Sequence, residues 1–257
     1  MKLFDTHCHL DEPRFDADRE AVLDDMAARG FTPCVLVGAD WPSSLSVQAL
    51  AHTRDFLYFA AGVHPHDAKD YTPETESDLR RMMADPRCVA WGEIGLDYYY
   101  DHSPRETQRA VFAAQLDAAT EMGKPVIFHV RDAHGDVTDI LRARRGRLPQ
   151  GVLHCYSGSV EQAKIYLDMG FYISLAGAVT FKNAAKLPDV ARMVPGDRLL
   201  IETDSPYLAP EPVRGRRNDP RNVRYIAEKV AGLRGVPVEA LAEMTRENGM
   251  RLFGIEA

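Results

Sequence analysis

The chain has 257 residues, 45% of them hydrophobic and 27% charged, with a formal net charge of −7. That length fits one large domain of the size of an eight-stranded βα barrel, and the balanced composition excludes a disordered chain or a low-complexity array. No apolar leader follows Met1 and no run approaches the 18 apolar residues of a membrane span, so a cytoplasmic protein without membrane association is expected.

In chain order, short β-branched or aromatic runs at 2–6, 33–38, 57–62, 88–93, 125–129, 151–154, 171–175 and 198–202 predict eight strands. Between them, stretches such as 16–29, 104–122, 132–144 and 160–169 place apolar residues at helical spacing, and two more helices, 222–233 and 238–252, follow the last strand. Gly30, Gly123 and Gly170 stand where helices should stop before the next strand. Regular alternation predicts a parallel sheet, and eight repeats predict closure into an α/β, (β/α)8 TIM barrel, one domain over residues 1–257. Cys8, Cys34, Cys88 and Cys155 lie far apart in mostly apolar settings and read as free buried thiols.

The ionisable residues that break apolar runs all fall at the C-terminal ends of the predicted strands, the face on which such barrels carry their sites. His7 and His9 end the first strand, His64 follows the third, Glu93 the fourth, His129 the fifth, His154 the sixth and Asp204 the eighth. Residues two apart on a strand face the same way, so His7 and His9 can offer both imidazoles to one ion while Cys8 points oppositely. An HxH alone is often incidental; its position at a strand end is what favours chelation.

Glu93 follows a run that should be buried, where an unpaired carboxylate is costly. A salt bridge to arginine would satisfy it, but neighbouring strand ends deliver histidines, so a bridge between two cations is preferred. Asp97, four residues on, is undecided between a role in the site and one in the fold. His129 and His154 form a second pair, and Asp204 is the remaining carboxylate. Four imidazoles and two carboxylates suit divalent ions such as Zn²⁺ or Mn²⁺, with Mg²⁺ normally asking for more oxygen. Two such ions sharing Glu93 would lower the pKa of a water between them, making it the nucleophile of a hydrolase.

No G-x-S-x-G elbow, P-loop or dinucleotide-binding glycine motif competes with this reading. His64 and His66, in Gly62-Val63-His64-Pro65-His66, could contact an anionic oxygen or give a proton to a leaving group. After the eighth strand, Arg214, Arg216, Arg217 and Arg221 crowd a Pro-bounded loop able to grip phosphate, or simply to be solvated. The acidic net charge argues against a broad nucleic-acid-coating surface but leaves room for a local anion cleft.

These residues sit in Phe4-Asp5-Thr6-His7-Cys8-His9-Leu10-Asp11, Gly62-Val63-His64-Pro65-His66, Gly92-Glu93-Ile94-Gly95-Leu96-Asp97-Tyr98, His129-Val130-Arg131-Asp132-Ala133, His154-Cys155-Tyr156-Ser157-Gly158, Glu202-Thr203-Asp204-Ser205-Pro206-Tyr207-Leu208 and Arg214-Gly215-Arg216-Arg217-Asn218. In these ordered motifs the chain resembles the TatD-family metal-dependent deoxyribonucleases, a branch of the amidohydrolase-like barrels. The resemblance implies that His7 and His9 bind one ion, Glu93 bridges, His129 and His154 bind the second, and Asp204 joins the first and accepts a proton. It further implies that His64, Tyr156, Arg214 and Asn218 approach a substrate phosphate, and that DNA is cleaved from its ends. Gly249, inside the last predicted helix, departs from the helix former expected there and leaves the local packing in question.

The expected activity is therefore metal-dependent hydrolysis of DNA phosphodiesters by an exonuclease, with two divalent ions (Mg²⁺, Mn²⁺ or Zn²⁺) and no obligate protein partner. Hydrolysis of another ester or amide, such as the ester of an aminoacyl-tRNA, is the alternative, because an activated water does not itself select phosphorus over carbon.

Overall fold

In the computed structural model, which describes residues 1–256, eight parallel strands follow one another through a single sheet in chain order. They are β1 (Asp5–Cys8), β2 (Cys34–Val37), β3 (Leu57–Ala61), β4 (Cys88–Asp97), β5 (Val126–Arg131), β6 (Gly151–Leu153), β7 (Tyr172–Leu175) and β8 (Leu199–Ile201). The helices α1 (Arg19–Arg29), α2 (Trp41–Ala51), α3 (Pro73–Met82), α4 (Arg105–Glu121), α5 (His134–Arg142), α6 (Val160–Asp168), α7 (Leu187–Met193) and α8 (Val223–Arg234) cross between or follow the strands, and α9 (Val238–Phe253) ends the order. The expected (β/α)8 barrel is the fold observed. Among the described residues no helix is long and apolar enough to cross a membrane.

Strand residues alternate between two buried layers. Cys34, Leu36, Phe59, Phe128, Leu153, Ile173 and Leu199 pack outward against the helices, while Val35, Val37, Ala60, Ile127, Val152, Tyr172 and Leu200 form a separate inner cluster. The two-residue period of a strand dictates this partition. The inner cluster continues through Phe4 into Met250, Leu252 and Phe253 of α9, which plugs one end of the barrel. Gly249 resolves the question raised by its sequence: a Cβ there would stand 2.8 Å from the Phe4 ring, so glycine is what lets α9 press against it.

Two strands depart from expectation in ways that matter for the site. β1 starts at Asp5 and carries His7 within the strand, because its pairing with β2 begins at Asp5↔Cys34 and runs to Cys8↔Leu36. β4 continues to Asp97 instead of ending at Glu93, with a register shift between Trp91 and Ile94. Gly95 makes the continuation possible: its φ is +151°, and a side chain there would collide with the His129 carbonyl oxygen.

The barrel closes between its first and last strands without a regular ladder; the one backbone bridge there is Cys8↔Ser205. Other bonds make the seam. Asp5 Oδ1 accepts the Thr203 N–H at 2.8 Å, the Thr6 hydroxyl donates to the Ile201 carbonyl at 3.1 Å, the Asp204 N–H donates to the His7 carbonyl at 2.9 Å and the His9 N–H to that of Ser205 at 2.7 Å.

Candidate metal centre

Each strand end contributes through its place in the barrel. His129 and His154 stand two residues beyond the inner-cluster residues Ile127 and Val152, so the strand period turns them into the barrel mouth. His7 and His9 come from one lip of the seam and Asp204, held at φ +54°, from the other. Glu93 projects from the middle of the extended β4.

All six expected ligands converge. His7 Nε2 and His9 Nε2 face each other at 3.2 Å, and Asp204 Oδ1 lies 3.8 Å from the first and 3.6 Å from the second. Glu93 divides its oxygens between the two groups. Its Oε2 is 3.3 Å from His7 Nε2, while its Oε1 lies 2.7 Å from His129 Nδ1 and 2.6 Å from His154 Nε2. The His129 and His154 nitrogens are themselves 3.3 Å apart, and the His7 and His154 rings stack at 4.0 Å. His64 Nε2 reaches to 3.6 Å from Glu93 Oε1.

For His9 and His129 the partner on the far side of the ring decides which nitrogen is left free. His9 Nδ1 lies 2.7 Å from the Val37 carbonyl, an acceptor only, so it carries the hydrogen and Nε2 keeps its lone pair. His129 Nε2 lies 3.1 Å from Asp97 Oδ2, which fixes the hydrogen there and leaves Nδ1 aimed at Glu93. His154 Nδ1 lies 3.3 Å from Glu202 Oε1, an ion-pair distance without hydrogen-bond alignment, and Nε2 again points inward. His7 Nδ1 is buried without any partner. The backing of His9 and His129 turns a lone pair of each inward beside the two carboxylates, and His7 and His154 bring two more imidazole nitrogens to the same place. This donor set fits divalent cations, and carbonyl- or carboxylate-backed imidazoles are the usual arrangement around them.

The electrostatics carry the same message. Burial opposes ionisation of Glu93, but the charge of His154 and His64 and the bonds from His129 and His154 hold its carboxyl well below the usual range. Burial likewise opposes protonation of His9, and Asp204 overcomes it, pushing the imidazole up to about 9. His154 is raised by Glu93 and Glu202 against its burial. His7 and His64 shift down, through burial and then through the neighbouring His154 and His129 respectively. The carboxylates thus stay ionised, and the positive charge they require falls on imidazoles.

The residues expected at the phosphate are placed unequally. His64 is buried at the mouth; its Nδ1 accepts the His66 N–H at 3.1 Å, so its hydrogen is on Nε2 and faces the cluster. Arg214 is exposed, lies over the Phe181 ring at 3.7 Å and has no carboxylate partner among the described residues. Tyr156 is buried and donates its hydroxyl to the Ser159 carbonyl at 2.6 Å. Asn218, fully buried, donates to the Thr203 and Tyr207 carbonyls and accepts from Asp219 N and Asn222 Nδ2, which uses every hydrogen-bonding site on its amide. Of the basic loop, Arg217 pairs with Asp18, and Arg221 with Asp219 and Asp25, so two of the four arginines are already neutralised.

Sequence reasoning left Asp97 undecided and passed over Glu202 and the Val37 carbonyl. A carboxylate close behind a strand-end ligand was the available signal for Asp97. Nothing in the chain order marks Val37, which reaches His9 only because β2 lies beside β1. The cysteines are free, with Cys8, Cys34 and Cys88 buried and Cys155 half-buried; the Cys8 and Cys34 thiols meet at 3.3 Å across the same strand pair.

The family profile described as TatD related DNase matches residues 4–254. The chain is 44% identical over 253 residues to the "Uncharacterized metal-dependent hydrolase YabD" of Bacillus subtilis, covering 98% of this chain and 99% of that one. It is 36% identical over 261 residues to the "3'-5' ssDNA/RNA exonuclease TatD" of Erwinia billingiae, covering 99% of this chain and 100% of that one. The crystal structure of YjjV, a TatD homolog from Escherichia coli K12, matches with a TM-score of 0.92 at 30% identity, over 99% of this chain and 98% of that one.

Proposed function

The chain belongs to the TatD-related DNase family of metal-dependent hydrolases, and on that premise we propose that it cleaves DNA phosphodiester bonds from strand ends, as an exonuclease. The observation that carries the reading is the division of Glu93 between two imidazole groups, Oε2 toward His7 and Oε1 toward His129 and His154. In this reading His7, His9 and Asp204 hold one ion, His129 and His154 the other, and Glu93 both, with Mg²⁺, Mn²⁺ and Zn²⁺ as the candidates. Divalent ions bound there would activate a water and neutralise charge gathering on phosphorus.

The chain's own residues do the rest. His64 presents its Nε2 hydrogen to a phosphate oxygen, a donor whose direction is fixed by the His66 N–H behind it. Asp204, ionised beside His9, takes up the proton that the attacking water gives up. Arg214, which has no carboxylate partner among the described residues, pairs with the phosphate backbone. Asn218 and Tyr156 contribute by position, since their hydrogen bonds hold the β8 and β6 loops that carry Asp204 and His154. The exonuclease name of the Erwinia relative supports the choice of a nucleic-acid end as substrate.

The test is to strip the protein with chelator, reload it with each metal, and offer labelled single- and double-stranded DNA, aminoacyl-tRNA and simple esters. Release of nucleotides from DNA, lost in Glu93→Gln and His129→Ala, is expected. Ester cleavage by metal-loaded protein with no phosphodiester cleavage would overturn the nuclease reading.

A further inference from the structure

Among the described residues, four of the seven large hydrophobic side chains that remain exposed lie on two loops that follow β4 and β8; the others, Met1, Leu45 and Val236, are scattered. Tyr99 and Tyr100 lie just beyond β4 and Tyr207 and Leu208 beyond β8, with Tyr99 the most exposed at 59% and Tyr207 at 44%. Solvent-facing tyrosines at a catalytic mouth require an explanation that the metal chemistry does not give.

Both loops anchor their tyrosine to the metal cluster. The backbone N–H of Tyr99 donates to Asp97 Oδ1 at 3.0 Å, and the other oxygen of that carboxylate orients His129. The Tyr207 ring meets His9 edge-on at 6.0 Å. Tyr207 thus stands beside the His9 group by its ring, while Tyr99 follows directly on the carboxylate that backs the His129 group. Each is also backed by a guanidinium. Arg131 lies over the Tyr99 ring at 4.0 Å and Arg14 over the Tyr207 ring at 4.6 Å. Tyr207 is further held by its hydroxyl, which donates to Glu12 at 2.6 Å, and Glu12 in turn pairs with Arg14 at 3.3 Å. Tyr100 is less available, because the His102 ring stacks on it at 5.4 Å.

A ring stiffened by a cation on one side, exposed, and next to a site that handles phosphodiesters has the makings of a base-stacking surface. Resting on the nuclease reading above, we propose that Tyr99 and Tyr207 are stacking platforms that hold unpaired bases beside the metal centre. Such platforms suit the single strand named for the Erwinia relative, since a base inside a duplex already has both faces covered. Because every base has a π-face, such platforms grip without reading sequence, and Arg131 supplies positive charge to the adjoining backbone.

The test compares binding by metal-loaded protein, followed by fluorescence anisotropy, of a labelled hexathymidylate with phosphorothioate linkages and of the same backbone built from abasic units. Stacking on two rings should make the base-bearing strand bind about 25-fold or more tightly than the abasic one, and Tyr99→Leu or Tyr207→Leu should each cut that ratio about 5-fold or more. Tyr99→Phe and Tyr207→Phe should keep it, which separates loss of the ring from loss of the fold. A wild-type ratio near one, a ratio that neither leucine variant changes, or equal binding of a blunt duplex would overturn the platforms. Failure to release nucleotides from an unmodified strand would instead sink the nuclease reading and leave the binding ratio standing.

Discussion

Asp97→Asn isolates the role of a carboxylate that touches no expected ligand position except through His129. In the native protein Asp97 Oδ2 lies 3.1 Å from His129 Nε2 and 3.1 Å from His66 Nε2, while Oδ1 accepts the N–H groups of Tyr99 and Tyr100. Asparagine retains an oxygen for the two backbone N–H groups, so the loop should keep its shape. Its NH₂, however, now faces His129 Nε2 as a donor and drives the imidazole hydrogen to Nδ1, the nitrogen aimed at Glu93. The lone pair needed for coordination is lost. Changes of this kind behind a metal-binding imidazole cost about 10–100-fold in affinity, or roughly 1.4–2.7 kcal/mol. Metal titration of chelator-stripped protein, followed by calorimetry and elemental analysis, should show the weakening at one ion and little change at the other. Two ions bound with wild-type affinity would refute the tautomer argument.

Metal loading should also expel protons. At pH 7 His9, pushed up to about 9 by Asp204 against its burial, carries a proton that it must lose before Nε2 can coordinate. Metal affinity should therefore climb as pH rises toward about 9, and calorimetry in two buffers of different ionisation enthalpy should count at least one proton released near neutrality; a count of zero would contradict the assignment. At the other end of the barrel, Gly249→Ala should destabilise the fold although alanine is the better helix former, because the new Cβ would stand 2.8 Å from the Phe4 ring. Overpacking of about 1–3 kcal/mol set against about 1 kcal/mol of helix propensity leaves a net loss of up to about 2 kcal/mol, or several degrees in melting temperature. Scanning calorimetry decides it, and an increase would mean that Phe4 yields.

The six proposed ligand positions stood out in the sequence because each interrupts an apolar run at an expected strand end, and a barrel puts all such ends on one face. The limits of that legibility are equally physical. β4 reads as ending at Glu93, where its apolar run stops, yet Gly92 and Gly95 let the strand continue in close approach to β5: a Cβ on Gly92 would stand 2.7 Å from Ile127, and one on Gly95 would strike the His129 carbonyl. The strand therefore runs on and delivers Asp97 beneath His129. The basic loop looked uniformly available, but Arg217 is bound to Asp18 and Arg221 to Asp219 and Asp25; Asp219 lies two residues from Arg221 in the chain, whereas Asp18 and Asp25 become neighbours only once the chain has closed on itself. Asn218 fell within a motif of the right kind and turned out to spend its whole amide on the β8 loop. A motif shows which residues gather; it does not show which of their bonds are already taken.

The seam of the barrel ties these points together. β1 and β8 are joined by one backbone bridge and a few polar bonds, whereas every other neighbouring pair of strands has a ladder. An irregular seam frees backbone from strict strand geometry, which lets Asp204 adopt φ +54° and turn back toward His7 and His9 from the opposite lip. The ligand group of the proposed first ion thus spans the weakest joint in the sheet. A cation held there would bond both lips at once, and because it binds the folded chain only, its binding free energy would add to the stability of the closed barrel. The second group follows directly on the regular β5–β6 ladder, which ends at Phe128↔Leu153 one residue before His129 and His154. Glu93 joins the two, so the geometry of the seam is coupled through one side chain to the other half of the site.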